Sequence, residues 1–112
     1  MMYCDYLKKV DLRCGFSITT SAIVEDEGFY VDGDAMREAE EIFRRHGRWY
    51  SDFYGATIPL DIWIKCLEEW KKECQNDKRL AEVTQETLDI LCWWTERNKG
   101  NCEEVCLYDM LK

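Results

Sequence analysis

An amphipathic segment from Thr57 to Gln75, TIPLDIWIKCLEEWKKECQ, constrains the fold more than any other part of this chain. Pro59 stands where a helix would begin, because the N–H that proline lacks is not needed in a first turn. The apolar residues that follow recur at spacings of three and four, which places them on one face of a helix: Leu60, Trp63, Leu67, Trp70 and Cys74. The segment therefore predicts a helix with a broad, rigid, tryptophan-bearing face on which other elements pack.

Helices are predicted on both sides of this segment. Met1 to Leu12 has apolar residues at helical spacing and predicts a short N-terminal helix. Residues 35–55 keep the same spacing; Asp34 is the expected N-cap, Gly47 is a point at which the helix can kink or break, and Gly55 ends it.

Two further helical segments are predicted after the amphipathic helix. Residues 75–78 indicate a turn, and the next helix begins at Asn76 or only at Thr84, since both are capping residues. Its expected inward side consists of Val83, Thr87, Leu88, Leu91 and Trp94. The helix is expected to end at residues 98–100, because Gly100 stands where a glycine commonly terminates a helix. Residues 101–104 resemble a capping box and predict a last short helix through Leu111.

A β-hairpin is predicted between the N-terminal helix and residue 35, because the hydrophobic period there changes from 3.6 to 2. Phe16–Val24 alternates as a strand, residues 25–28 form a turn that ends in glycine, and Phe29–Val31 returns as a second strand. Two strands are marginal alone, so the hairpin must pack on helices or find a third strand. The predicted class is α+β, helix-dominated: an N-terminal helix, a hairpin over about Phe16–Val31, then three to four packed α-helices in a single globular domain, residues 1–112.

Net charge excludes some partners. The chain carries a formal charge of −8, and the ten residues from Glu25 to Asp34 contain five acids and no base. Direct binding of nucleic acid or of an anionic membrane surface needs the opposite sign, so both are disfavoured. No apolar run approaches the ~20 residues of a membrane span, and the N-terminus lacks the apolar core of a signal peptide. The expected location is therefore intracellular, in the cytoplasm.

The acidic decapeptide has two interpretations. The simpler one is a solvated turn followed by a helix cap; an EF-hand is ruled out because the spacing of acids and glycine does not fit. The functional one is that the carboxylates imitate the charge spacing of a phosphate backbone and attract a partner with a basic, nucleic-acid-binding groove. The candidate contact residues are Glu25, Asp26, Glu27, Asp32 and Asp34.

Aromatic residues give a second indication of a protein partner. Trp93 and Trp94 are adjacent, so on a helix they point about 100° apart and cannot share a narrow stripe. Trp49 and Tyr54 belong to a cluster that likewise spreads around its helix. Trp and Tyr dominate protein interfaces, so Trp49, Tyr54 and Trp93 are candidate contacts, although a well-filled core with a broad seam explains the same pattern.

The cysteines allow a metal-binding or thiol-dependent alternative. Seven cysteines without a secretory signal indicate a reducing compartment, in which Cys66, Cys74 and Cys92 are expected to act as small buried hydrophobes. On the predicted last helix Cys102 and Cys106 would share one face, and Cys92 or Cys4 would complete a zinc site. The sequence has no C-x2-C pair, which a structural zinc site usually contains.

Catalytic motifs are missing from the sequence. His46 is the single histidine and is expected to be a partly buried structural residue. No P-loop, G-x-S-x-G, H-E-x-x-H or G-x-G-x-x-G stretch is present. The chain is therefore predicted to be neither an enzyme nor a cofactor-binding protein.

The leading hypothesis is a non-enzymatic protein-binding module that occludes a basic nucleic-acid-binding partner, such as a bacterial nuclease. In size, charge and layout the chain is similar to the small acidic inhibitors of bacterial defence that phages and mobile elements encode, among them anti-CRISPR proteins that act as nucleic-acid mimics. Dimerisation through the tryptophan-bearing helices is compatible with this hypothesis and with the metal-binding alternative.

Overall fold

The computed structural model describes residues 2–10, 15–20, 29–47, 55–101 and 103–109. Their elements confirm a helix-dominated α+β fold. In chain order they are α1 (Met2–Leu7), β1 (Phe16–Thr20), β2 (Phe29–Val31), α2 (Gly33–Glu38), α3 (Glu40–Arg45), β3 (Gly55–Pro59), α4 (Leu60–Asn76), α5 (Lys78–Asn98), a 3-10 turn (Lys99–Asn101) and β4 (Glu104–Asp109).

The described strands form one antiparallel sheet in the order β2-β1-β4-β3. The predicted pairing of β1 with β2 is confirmed, with Phe16 opposite Val31 and Ile18 opposite Phe29. Residues 21–28, on which the predicted end of the first strand and the turn fall, lie outside the described residues. The third strand that the hairpin needed is β4, which pairs with β1 along its whole length.

One face of the sheet is buried under the helices. Along each strand, buried residues alternate with more exposed ones, as the two-residue period of a strand requires. The buried set consists of Phe16, Ile18, Phe29, Val31, Ile58, Val105 and Leu107. These side chains join the inward faces of α4 and α5 in a continuous hydrophobic core.

Helices α4 and α5 form the antiparallel hairpin that carries the chain from β3 to β4. The predicted apolar face of α4 is confirmed: Trp63, Leu67, Trp70 and Cys74 are buried, and Leu60 is half-buried. At the N-terminal end, Thr57, Ile58 and Pro59 belong to β3, so the helix begins at Leu60 and Pro59 is its N-cap.

Helix α5 begins at Lys78, between the two predicted starts. Asp77 is its N-cap, with a carboxylate oxygen accepting from the N–H of Leu80 at 3.1 Å. The predicted end at residues 98–100 is confirmed. The predicted inward position of Val83 is wrong, since this side chain is 41% exposed.

The predicted helix over residues 35–55 is two short helices. The chain bends at Ala39, whose N–H is shared between the carbonyls of Ala35 and Met36 at 3.2 Å each. Gly47 follows α3 with a φ of +67°, a left-handed conformation that glycine adopts without strain. Residues 48–54 lie outside the described residues, and Gly55 opens β3 instead of ending a helix.

The prediction of a last helix and the prediction of Asp34 as an N-cap are also wrong. The predicted last helix is strand β4, whose Val105 and Leu107 are buried while Cys106 is half-buried. The N-cap of α2 is Asp32, not Asp34, because an Asp32 carboxylate oxygen accepts from the N–H of Asp34 at 3.2 Å.

None of the helices in the described part of the chain is both long enough and apolar enough to cross a bilayer.

Candidate protein-binding surface

The end of the acidic decapeptide meets helix α5 around the hydroxyl of Tyr6. This hydroxyl accepts from the Asp32 N–H at 2.7 Å and hydrogen-bonds to Thr87 Oγ1 at 2.8 Å. Burial raises the pKa of the Tyr6 phenol, and the nearby carboxylates of Asp32 and Glu86 act in the same direction. Acids from two distant parts of the sequence, Asp32 and Glu86, therefore lie near one buried hydroxyl.

Helix α5 extends this negative charge along its exposed side. Glu82, Glu86 and Asp89 are exposed and follow one another at spacings of four and three, so they form a single stripe. Together with Asp32 and Asp34 at the start of α2, they form what we call the acidic surface. Asp34 is exposed and Asp32 is half-exposed, so both remain accessible.

Two carboxylates of the acidic surface, those of Glu86 and Asp89, make weak contacts with neighbouring exposed side chains. Glu86 pairs with Lys9 at 2.9 Å, but both side chains are more than half exposed, at 54% and 64%. Asp89 accepts from the side-chain amide of Gln85 at 2.9 Å. Exposed ion pairs are worth at most about 1 kcal/mol, so a cationic partner group can replace Lys9 at little cost.

An aromatic cluster borders the acidic surface where the α5 stripe continues to Trp93. The ring of Trp93 lies 6.1 Å from that of Tyr3, which stacks on Phe29 at 4.6 Å. Trp94 is buried against Phe29 at 5.4 Å, whereas Trp93 lies 6.3 Å from the same ring and is half-buried, so the two neighbouring indoles differ in exposure. The guanidinium of Arg97 lies 5.2 Å above the Trp93 ring.

The structure thus brings together three of the predicted contact residues: Asp32, Asp34 and Trp93. Tyr6 links them, since it touches Asp32 and its ring lies 6.3 Å from that of Tyr3. The other predicted contacts fall outside the described residues and stay predictions: Glu25, Asp26, Glu27, Trp49 and Tyr54.

Sequence reasoning missed the acids of α5. Glu82, Glu86 and Asp89 recur at i, i+4 and i+7, and Trp93 follows four residues later. This spacing is a readable signal of a charged helical stripe that leads to an aromatic residue. What the sequence does not contain is the contact of Tyr6 with Thr87 and Asp32, which places the stripe beside the acidic decapeptide.

The cysteines of the alternative hypothesis are spread over several elements. Cys4 is exposed on α1, Cys92 is half-buried on α5, and Cys106 lies on β4 with its sulfur 3.9 Å from Thr57 Oγ1. The helical spacing assumed for Cys106 and Cys102 is wrong because β4 is a strand, and Cys102 itself lies outside the described residues. Within the described ranges, His, Cys, Asp and Glu side chains form no group of three or more that could hold a metal ion.

His46 connects α3 to α4. Its Nε2 lies 2.7 Å from a Glu69 carboxylate oxygen, and its side chain is 21% exposed, which agrees with the predicted partly buried position. The neighbouring Arg45 donates to Glu73 at 2.6 Å and to Glu69 at 3.5 Å. These contacts give His46 a structural role in joining the two helices.

No protein-family model, curated protein or solved structure matches this chain.

Proposed function

We propose that this chain is a non-enzymatic protein-binding module, an acidic inhibitor that occludes the nucleic-acid-binding groove of a basic partner. The proposed partner is a bacterial defence nuclease, and the functional analogues of the chain are the anti-CRISPR proteins of phages. The observation that carries the proposal is that the Tyr6 hydroxyl bonds both to the Asp32 N–H and to Thr87, the neighbour of Glu86, which joins two acidic stretches in one acidic surface.

The spacing of the α5 stripe supports a mimic of nucleic acid. At a rise of 1.5 Å per residue, Glu82 and Asp89 lie about 10.5 Å apart along the helix axis, with Glu86 between them. One charge per about 5 Å approaches the one charge per 3.4 Å of a single DNA strand. The helix holds these charges in fixed positions, so little conformational entropy is lost when a cationic groove binds them.

The aromatic cluster supports recognition of a protein. An interface needs a desolvated anchor in addition to charge, because exposed ion pairs contribute mainly to the rate of association. Trp93 is half-buried and is held between Tyr3 and Arg97, so its position is fixed before a partner arrives. We therefore assign Trp93 as the anchor and the acidic surface as the steering element.

The test begins with affinity purification from a bacterial lysate at low and at high salt, followed by mass spectrometry. We expect to retain a basic nucleic-acid-handling enzyme that is lost at high salt. With that enzyme purified, the chain should compete with duplex DNA for it. An enzyme that binds this chain and DNA at the same time contradicts occlusion.

Charge reversal locates the contact. Glu82→Lys/Asp89→Lys should weaken binding at least tenfold and reduce its dependence on salt. The matched control is Asp61→Lys/Glu68→Lys, which reverses two exposed acids of α4 and changes the net charge by the same amount. Equal losses in both variants would mean that only net charge matters and that the acidic surface is not the contact.

A further inference from the structure

Strand β2 is an edge strand, and its outward backbone groups are bonded to tyrosine hydroxyls of α1. Among the described strands, whose order is β2-β1-β4-β3, β2 pairs with a neighbour on one side only. On its other side, the Tyr30 N–H donates to Tyr3 Oη at 2.9 Å, and Tyr3 Oη donates to the Tyr30 carbonyl at 3.2 Å. The Asp32 N–H donates to Tyr6 Oη at 2.7 Å.

These bonds reproduce those of a neighbouring β-strand. An antiparallel strand added to this edge would bond to Tyr30 through both its N–H and its C=O and would next reach Asp32, two residues along. The two hydroxyls engage the same three groups. Tyr3 and Tyr6 lie one helical turn apart, so one short helix reaches both positions.

The side chains of α1 keep it on this edge. A six-residue helix is not stable in isolation, so contacts with the rest of the protein must hold it. Tyr6 is 3% exposed and Tyr3 stacks on Phe29, so both rings anchor the helix while their hydroxyls face the strand. The helix therefore depends on the edge that it covers.

We propose that α1 is an intramolecular guard of the sheet edge, and that without its tyrosine hydroxyls β2 pairs with β2 of a second copy of this chain. An antiparallel β2–β2 pair centred on Tyr30 is self-complementary, because each Tyr30 donates to and accepts from the other across a twofold axis. Uncovered edges of this kind are the usual route to edge-to-edge association, and a covering helix is one way to prevent it.

The acids around β2 form a second barrier to the same pairing. In the sequence, Glu25, Asp26 and Glu27 precede the strand, and Asp32 and Asp34 follow it. Antiparallel pairing of two copies brings the acids of one copy towards those of the other, so like charges oppose it. This role of the acids is independent of the proposed function, and its test involves no partner protein.

The test compares the full-length chain with its Tyr3→Phe/Tyr6→Phe variant by sedimentation equilibrium at low and at high salt. The variant keeps both rings and loses both hydroxyls. We expect the unaltered chain to remain monomeric, and the variant to shift towards twice the monomer mass, more strongly at high salt, where the acids are screened. A variant that remains monomeric at both salt concentrations overturns the proposal.

Hydrogen exchange identifies the surface involved. In dilute Tyr3→Phe/Tyr6→Phe protein, the amides of Tyr30 and Asp32 should exchange roughly five- to tenfold faster, as expected for loss of one hydrogen bond each. Their protection should return as the protein concentration rises. Association without this return contradicts pairing through β2.

Two further variants separate the edge from general destabilisation. Thr87→Val removes the other partner of the Tyr6 hydroxyl and leaves the bonds to β2 in place, so it should remain monomeric. If the double variant does not fold, Tyr3→Phe alone serves, because Tyr3 is only half-buried and this change exposes only the two groups of Tyr30. A Tyr3→Phe variant that is folded and monomeric at high salt also overturns the proposal.

Discussion

The indole Nε1 of Trp70 donates a 2.9 Å hydrogen bond to Thr84 Oγ1, and both side chains are fully buried between α4 and α5. Two turns earlier on α4, Trp63 makes the same contact with Thr95 at 2.8 Å. Each threonine hydroxyl in turn donates a hydrogen bond to a backbone carbonyl of α5. Thr84 donates to the carbonyl of Leu80, and Thr95 donates to that of Leu91. The buried indole N–H groups are therefore satisfied by threonines on the facing helix.

We predict that Thr84→Val lowers the free energy of unfolding by about 1–3 kcal/mol, because the Trp70 N–H is left buried without an acceptor. Thr84→Ser, which keeps the hydroxyl, should lose much less. Urea unfolding followed by tryptophan fluorescence gives both values. A Thr84→Val variant as stable as the unaltered chain, with a loss confined to Thr84→Ser, would mean that the methyl group matters and not the hydrogen bond.

Alkaline pH should destabilise the protein through Tyr6. Burial raises the pKa of this phenol in the folded state, whereas in the unfolded chain it titrates near its usual value of about 10. The stabilisation is therefore complete below pH ~10, and it falls as the pH rises from there towards the folded-state pKa.

The Tyr6→Phe variant separates this effect from the loss of hydrogen bonds. At neutral pH it should be less stable by about 1–3 kcal/mol, because the Asp32 N–H and the Thr87 hydroxyl lose a partner. Above pH 10 its stability should decline less steeply than that of the unaltered chain. Urea titrations at a series of pH values measure both; parallel curves would contradict the assignment to Tyr6.

Two apolar residues of α5 should respond in opposite ways to truncation. Leu88 is fully buried, so Leu88→Ala should cost about 2–5 kcal/mol of stability. Val83 is 41% exposed, so Val83→Ser should change stability by no more than about 0.5 kcal/mol. A large loss from Val83→Ser, measured by the same urea unfolding, would show that the sequence-based assignment of Val83 to the inward side was right.

The thiol of Cys92 should be slow to react. It lines a groove of about 260 Å³ between α4 and α5, where Lys71 also lies. Burial raises the pKa of Cys92, and the Lys71 ammonium opposes this rise. Alkylation of Cys92, followed by peptide mass spectrometry, should therefore require a higher pH than is usual for a free thiol.

Lys71→Met should slow the alkylation of Cys92 further, because the cation that stabilises the thiolate is removed. Lys72→Met is the matched control: it removes the neighbouring exposed lysine of α4, which does not line the groove. The control should leave the rate unchanged. Equal rates in the two variants would mean that Lys71 does not act on Cys92.

Residues whose local pattern agrees with their long-range contacts could be predicted from the sequence. The stripe from Trp63 to Cys74 combines helical spacing with burial, and the β1–β2 hairpin combines strand alternation with a nearby partner. Both predictions are confirmed where the structure describes them. Local and tertiary preferences point the same way in these segments.

β4 shows why the rest could not be predicted. Asn101 and Glu104 have the spacing of a capping box, and this local signal indicates a helix. The strand is instead fixed by pairing with β1 and β3, which lie far away in the sequence. Strand preference depends on such partners more than helix preference does, and the short alternation around Val105 and Leu107 is too brief to reveal them.

Part of the candidate site could likewise be predicted from the sequence, and part of it could not. The charge of Asp32 and Asp34 and the divergence of Trp93 from Trp94 are visible in the sequence. Their proximity to the acids of α5 is not, because it depends on the Tyr6 hydroxyl reaching Thr87 and the Asp32 N–H.

The position of β4 between β1 and β3 has a consequence for synthesis on the ribosome. The α4–α5 hairpin and the β1–β2 pair are local and can form while the chain is still growing. The strand that joins β3 to this pair emerges after all the others, so until then β1 and β3 each present an unpaired edge beside exposed apolar side chains. The nascent chain thus passes through a stage in which its sheet is open at the centre and two unpaired strand edges can associate with other chains.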